Sequence, residues 1–506
     1  MAPLSRSHEA PGGTTEAVRK GLHTHDGQPL HELLAQLART ADPERRIALY
    51  QRLVPDALNL ATAENVLLYQ SLRDNIFSKV ETLSEKDVRY APAYGSDELR
   101  KEIAALLRPT LSPDLKYEHI YGTSGVSAAL ECIAFALKAA GVLTTGDRVL
   151  LPAPHWQGFI WCFEERPGLV CVPAPMTTKP VEDFQLTLAD LQNAYRQQPE
   201  PPKLLVLTNP NNPLGVNYSK ELLESIYTWA LKETGMHIIS DEMYAHSQIT
   251  GATPDFVSAL RLDAVTQNPQ ARERVHLVWG FAKDFGLSGF KAGLVISAAE
   301  AVRKAMEGDT KLVHPIEPYS WFSPFDSLKH FYLGALLTAG ANRESYARTL
   351  MQKDYPGHLT TAFRSVSQAL EKNQIPYVYR EGQNTAQFIW LDLTQYLRTP
   401  KTEIPPELGV HYPLPGELPN GLPAESGKAE PLSLPLLFSE ISSAEEYLRD
   451  YLAKRAAVLL LPGQTLNCPK PGYFRLCFTA FHTEDVVDAI NRLGEALREI
   501  PPHSGD

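Results

Sequence analysis

Disulfide spacing is missing from this chain. Its 506 residues include five cysteines, Cys132, Cys162, Cys171, Cys468 and Cys477, scattered with no C-x-x-C pair. That excludes a disulfide framework and a cysteine-based zinc site, and fits reduced thiols in the cytoplasm. Positive charge is also short: 48 Lys plus Arg stand against 59 Asp plus Glu, a net charge of −11. This balance argues against non-specific attraction to nucleic acid or to anionic lipid. Long apolar runs are lacking too. The most apolar helical stretch, 126–143, is interrupted by Glu131 and Lys138, so it reads as a buried helix and not a membrane span. The first thirty residues have no apolar core, and no secretory signal is expected. There is no internal repeat and no His/Cys/Asp/Glu grouping that calls for a metal. What remains is ordinary globular material, 43% hydrophobic and 21% charged, long enough for two or three domains.

Residues 1–57 read as an N-terminal extension. Its first part is rich in Gly, Ser, Thr and His, and the apolar spacing of Leu33, Leu34, Leu37, Ile47, Leu49 and Leu53 suggests one or two amphipathic helices. Between about 100 and 325, helical patterns alternate with short apolar runs. These are Val149-Leu150-Leu151, the stretch 204–207, the stretch 237–240, the stretch 275–278 and the stretch 293–296, with a helical stretch at 220–232 among them. Continuous apolar runs suit strands buried on both faces, as in a mostly parallel sheet covered by helices. Ligands in such folds bind at the carboxyl ends of the strands. A long helix is expected from Ser323 towards Ala339, followed by a smaller α+β domain. Within that domain, 400–440 is a Pro-, Gly- and Glu-rich insertion with little periodicity. The expected division is 1–57, 58–100 (part of the small domain and an arm), 101–325 (large domain) and 326–506.

Chemistry concentrates just after the predicted strands. Asn212 lies in the turn 209–215, Asp241 and Tyr244 in Ser240-Asp241-Glu242-Met243-Tyr244, and Lys283 in Gly280-Phe281-Ala282-Lys283-Asp284-Phe285-Gly286. A lysine that bonds covalently to an aldehyde cofactor needs an electron sink, a carboxylate to keep the cofactor ring protonated and donors to its phenolate oxygen. Lys283, Asp241, and Tyr244 with Asn212 meet those needs, which is the donor set of a pyridoxal 5′-phosphate (PLP) enzyme. A phosphate needs free N–H groups at a helix N-terminus. Val126 and Ser127, after Thr123-Ser124-Gly125, offer them. Trp156 is placed to stack on a ring, and Arg475, in Tyr473-Phe474-Arg475-Leu476-Cys477, can clamp a carboxylate through two parallel hydrogen bonds. His155 reads as a hydrogen-bonded loop histidine and not as a base.

From about 58 to 498 this set resembles the fold type I PLP enzymes of the aspartate aminotransferase superfamily. Within it, the chain most resembles 1-aminocyclopropane-1-carboxylate (ACC) synthases, through the stretches 60–65 (Leu-Ala-Thr-Ala-Glu-Asn), 240–244, 283–290 and 474–478. The resemblance implies a large domain with a mostly parallel seven-stranded sheet between helices, plus a smaller α+β domain. It also implies a cytoplasmic homodimer with shared active sites, in which Tyr90 reaches the phosphate of the neighbouring subunit. Lys283, Asp241 and Tyr244 would be catalytic, and Arg475 and Glu64 would hold substrate.

Two departures stand out. Family members carry Ser-x-Ser before the lysine, where this chain has Gly280 and Ala282, and an arginine eight residues after it, where this chain has Lys291. Lysine keeps the charge but not the planar fork, so the phosphate cup is expected to be remodelled, with Lys291 still a cofactor ligand. The resemblance points to S-adenosylmethionine (SAM) as substrate, with loss of methylthioadenosine. It leaves open ring closure to ACC, γ-elimination or γ-replacement in which the four-carbon unit is joined to a second substrate (a carbon-carbon bond-forming annulation onto an electrophilic partner such as a nicotinamide nucleotide), and ordinary transamination.

Overall fold

The computed structural model describes residues 57–308, 324–338, 345–397 and 444–500, apart from 81, 181 and 182, and in the N-terminal stretch only Gln36. The expected N-terminal helices and the 400–440 insertion lie outside the described residues. The strands in chain order are β1 (Leu58–Asn59), β2 (Ile120–Thr123), β3 (Arg148–Ala153), β4 (Val170–Pro175), β5 (Leu204–Thr208), β6 (His237–Asp241), β7 (Val275–Gly280), β8 (Gly293–Ser297), β9 (Phe388–Asp392), β10 (Val458–Leu459), β11 (Leu461–Pro462) and β12 (Tyr473–Cys477).

Seven of these form one sheet in the order β2-β8-β7-β6-β5-β3-β4. The pairs from β7 through β6, β5 and β3 to β4 are parallel, whereas β8 runs antiparallel to both β7 and β2. Along β5, Leu204 and Val206 enter one apolar cluster and Leu205 and Leu207 another. Both faces of the strand are therefore packed, which is why the run is continuous rather than alternating. The helix Val126–Ala139 covers one face through Leu130, Ile133 and Leu137. The helical stretch expected at 220–232 is regular over Lys220–Thr228 and continues as a wider π-helical turn, Trp229–Thr234.

The second unit has a three-stranded antiparallel sheet, β11-β12-β9. Against it pack the helices Tyr355–Lys372, Ala444–Ala456 and Thr483–Arg498. The helix expected from Ser323 spans Ser327–Thr338 among the described residues. β1 pairs in parallel with β10, so the chain enters the fold beside its C-terminal unit. It then crosses towards the large sheet as an extended strap, 60–65. The strap is held by Cys477 N donating to the Leu60 carbonyl at 2.8 Å and Val66 N to the Thr479 carbonyl at 2.9 Å. Its path is sterically fixed. Gly286 sits at φ +69°, and a Cβ there would collide with the Asn65 carbonyl, so only glycine lets the strap pass over the loop that carries Lys283.

Candidate active site

The carboxyl ends of β5, β6 and β7 bring the predicted residues to one place. Asp241 ends β6, Lys283 follows β7 by three residues, and Asn212 lies in the turn after β5. That turn is stapled by Asn211 Oδ1, which accepts from Leu214 N at 3.0 Å, and by Asn209 Oδ1, which accepts from Tyr218 N at 3.0 Å. Arg475 comes from β12 of the smaller unit. It is buried, donates from Nη1 to Asn212 Oδ1 at 2.7 Å and from Nη2 to the Ala61 carbonyl at 2.5 Å. Its guanidinium also lies 4.6 Å from the centre of the Phe388 ring, and the Tyr244 ring meets the same phenylalanine edge-on at 5.1 Å. Lys283 Nζ donates to the Ala63 carbonyl at 2.6 Å. The strap thus receives both cations on alternate carbonyls, Ala61 for Arg475 and Ala63 for Lys283.

The buried side chains carry perturbed acidities. Burial pushes the Asp241 carboxyl up to about 7 against weak support, one hydrogen bond from Met243 N at 3.3 Å and one from Thr208 Oγ1 at 3.4 Å. Burial likewise raises the Tyr244 phenol well above its usual value, with Arg475 opposing. A buried carboxylate this poorly compensated fits a protonated ring nitrogen, because a cation there would restore its charge. The residues present therefore fit PLP.

The expected phosphate cup lies at the start of the helix Val126–Ala139. Gly125, at φ +92°, precedes it with no side-chain cap, which leaves the first amides, Val126 and Ser127, without a capping group. Lys291 comes close: its Cα and Cδ lie 4.0 Å from where a Gly125 Cβ would stand, and it is exposed with φ +50°. The missing serine at 280 has a steric reason. A Cβ on Gly280 would stand 2.8 Å from the Ala292 carbonyl oxygen and 3.3 Å from Val126 Cγ2. The cup has closed in on that position.

Trp156, half-buried, folds over Gly158 and meets the Phe159 ring edge-on at 5.4 Å. His155 is buried and held below its usual range, to about 4, by desolvation. Its Nδ1 bonds to the Trp156 carbonyl at 2.9 Å and its Nε2 to Asn467 Nδ2 at 3.1 Å, which suits a neutral loop histidine. Glu64 is half-buried in the strap, and its carbonyl accepts from Thr479 Oγ1 at 2.6 Å. Tyr90 stands fully exposed. Sequence reasoning missed Phe388 and Thr208, and a set of buried polar residues around the Lys283 main chain. The only linear signal for the last was Asn65, beside Glu64.

Residues 55–320 match the sequence profile of the family described as "Aminotransferase class I and II". The chain belongs to this family. Like other members of the aminotransferase class I and II family, it is a PLP-dependent enzyme of fold type I. It is 26% identical over 409 residues to 1-aminocyclopropane-1-carboxylate synthase 5 of Oryza sativa subsp. japonica, which covers 80% of this chain and 64% of that relative. Against 1-aminocyclopropane-1-carboxylate synthase 3 of the same plant, identity is 25% over 457 residues and 86% of each chain is covered. Probable aminotransferase aclI of Aspergillus oryzae is 32% identical over 275 residues, 52% of this chain and 64% of that one. Among solved structures, an aspartate aminotransferase double mutant of Thermus thermophilus superposes with a TM-score of 0.59 at 20% identity, covering 98% of this chain and 100% of that one. That likeness concerns the fold. No described helix is long and apolar enough to cross a membrane.

Proposed function

We propose that this enzyme deprotonates the Cα of S-adenosylmethionine and expels methylthioadenosine from Cγ, as the names of its ACC synthase relatives suggest. The observation that carries the reading is the strap. Glu64 stands between Ala63, whose carbonyl receives the Lys283 amine, and Asn65, whose amide holds the Lys283 carbonyl at 2.9 Å. A carboxylate at that point suits a substrate with a fixed positive charge, because opposite charges attract strongly where water is scarce.

PLP, when bound, supplies the electron sink that accepts the charge left at Cα. Asp241 holds the proton balance of the ring nitrogen, and Tyr244 with Asn212 offers donors on the other side. Arg475 clamps the substrate carboxylate with its fork. Lys283 takes the Cα proton as general base. The Cγ–S bond then breaks with its electron pair on sulfur, so the sulfonium leaves as neutral methylthioadenosine. A bond from Cα to Cγ completes ACC, and the proton removed from Cα stays on Lys283 until released to water. If a proton is also lost from Cβ as the Cγ–S bond breaks, the four-carbon unit becomes unsaturated. A nucleophilic second substrate can then add at Cγ, or the electron-rich carbon of the unit can add to an electrophilic nicotinamide nucleotide that is then closed into a ring, and a coupled product replaces ACC. Val126, Ser127 and Lys291 are the proposed phosphate ligands, Trp156 the ring-stacking residue and Tyr90 a residue of the neighbouring subunit's site in a homodimer.

The test is mass spectrometry of the products from SAM and PLP-loaded protein. Methylthioadenosine in step with SAM consumption is expected, accompanied by ACC or by a coupled product when a second substrate is supplied. No methylthioadenosine, with keto acid formed in proportion to amino donor, sinks the reading in favour of transamination. Relatives such as probable aminotransferase aclI favour that second reading.

A further inference from the structure

A buried polar cluster surrounds the main chain of Lys283, built by Asn65 of the strap, Ser247 after β6, Asp284, Tyr355 at the start of a helix of the smaller unit, and Gln387 just before β9. All five side chains lie in residues at most 4% exposed. The Tyr355 hydroxyl accepts from Asn65 Nδ2 at 3.0 Å and from Gln387 Nε2 at 2.9 Å. With both lone pairs occupied, its one proton points to Ser247 Oγ, 2.8 Å away. Ser247 Oγ in turn donates to Asp284 Oδ1 at 2.6 Å. Asp284 Oδ2 accepts from Trp279 Nε1 at 2.9 Å and His246 N at 3.1 Å. The chain of donors therefore runs one way, from two amides through Tyr355 and Ser247 to the carboxylate.

The same two amides also donate to the carbonyl of Lys283, Asn65 Nδ2 at 2.9 Å and Gln387 Nε2 at 2.8 Å. Tyr355 thus aims both donors that fix the lysine's peptide plane. The cluster as a whole joins three places, the strap (Asn65), the loops that follow β6 and β7 (Ser247 and Asp284) and the smaller unit (Tyr355 and Gln387). Stability alone does not require this, since matched apolar packing serves as well as a buried polar network.

We propose that Tyr355 is a positioning residue for Lys283, holding the peptide of the lysine through Asn65 and Gln387 so that its amine is presented in one orientation. The proposal rests on the reading of Lys283 as the cofactor-bearing base. It would make the lysine's alignment depend on the seating of the smaller unit against the large sheet.

The experiment uses the PLP-loaded enzyme and three variants, Lys283→Ala, Tyr355→Phe and Ser247→Ala. The readouts are the pH midpoint of the lysine-bound cofactor's absorbance band, the melting temperature, and kcat and KM for the amino donor. Tyr355→Phe is expected to move the midpoint by about half a unit or more. It should also lower kcat by about tenfold or more with KM within about twofold, because misalignment acts on the chemical step and not on binding. Ser247→Ala should move the midpoint in the same direction by less, and it carries the test alone if Tyr355→Phe does not fold. An unmoved midpoint and unchanged kcat, with only a lower melting temperature, overturn the positioning role. Persistence of the band in Lys283→Ala overturns instead the assignment of the lysine, and with it the inference.

Discussion

Asp241 and Arg475 owe their roles to burial, and burial makes both testable. Asp241 titrates near 7 in the folded protein against an ordinary carboxylate value of 3.8. Between those values the folded state holds a proton that the unfolded state has lost. Stability of the cofactor-free protein therefore falls as pH rises from about 4 to about 7. Glu242 and Asp284 are raised to about 7 by the same desolvation and add to the slope. Asp241→Asn removes one of the three protons. Melting temperatures of the apoprotein across that window should decline less steeply in this variant than in the parent, and an equal slope would show that Asp241 is ionised in the folded apoprotein. Arg475→Lys keeps charge but loses the fork that holds Asn212 Oδ1 and the Ala61 carbonyl. Losing a charged hydrogen bond of this kind costs about 1.5–3 kcal/mol, so kcat/KM for the donor should fall by about 10- to 150-fold. Steady-state kinetics check this, and an unchanged kcat/KM would remove Arg475 from the carboxylate site.

Elements meet closely at the cup. A Cβ on Gly293 of β8 would stand 2.6 Å from both the Gly125 carbonyl oxygen and Val126 N. Gly293→Ala must push the helix N-terminus away from the strand or strain both. Overpacking of this size costs about 1–3 kcal/mol, and the displaced amides should bind phosphate less well. The expected result is a lower melting temperature together with weaker PLP affinity by fluorescence titration; PLP affinity equal to that of the parent would place the phosphate elsewhere. Central elements were readable in the linear sequence because their pattern follows from burial on both faces, as in β5, β6 and β7. β4 was not. It holds two prolines, Pro173 and Pro175, and its residues alternate towards solvent at the sheet's edge, where a missing N–H is tolerated. β2 is four residues long and ends in Gly-Thr, too short for a period to register. Lys283, Asp241, Asn212 and Arg475 were visible because strand ends and side-chain chemistry mark them. Tyr355, Gln387 and Ser247 were not. Each is an ordinary polar residue whose partners lie tens of positions away or more, 108 between Ser247 and Tyr355 and 104 between Gln387 and Lys283, so only the folded chain brings them under the lysine.

Among the described residues, the exposed large apolar side chains lie along one stretch of the fold, with Val170 on the edge strand β4 as the exception. Tyr69, Leu83, Val88 and Tyr90 belong to the arm that leads into the helix Asp97–Leu107, and Leu328 to the helix Ser327–Thr338 packed against that helix. Exposed apolar side chains grouped in this way are a common mark of a surface covered by a partner. Tyr90 is wholly exposed, and the proposed homodimer would give it a role, contributing to the phosphate site of its neighbour. Sedimentation velocity should therefore give a dimer. The stronger test is complementation, because sharing makes a geometric prediction that simple pairing does not. Lys283→Ala disables the site in its own subunit, whereas Tyr90→Ala disables the site across the interface. In a mixed dimer both lesions fall on one site and the other site is intact. Unfolding and refolding the two inactive variants together at equal amounts yields half mixed dimers, so turnover should return to about a quarter of the parent's, as random pairing in a two-fold assembly requires. Recovery of donor turnover on mixing, from variants that are inactive apart, is the expected outcome. No recovery from a mixture that sediments as dimers would place Tyr90 in its own subunit's site, and a monomer with full activity would remove the shared site altogether.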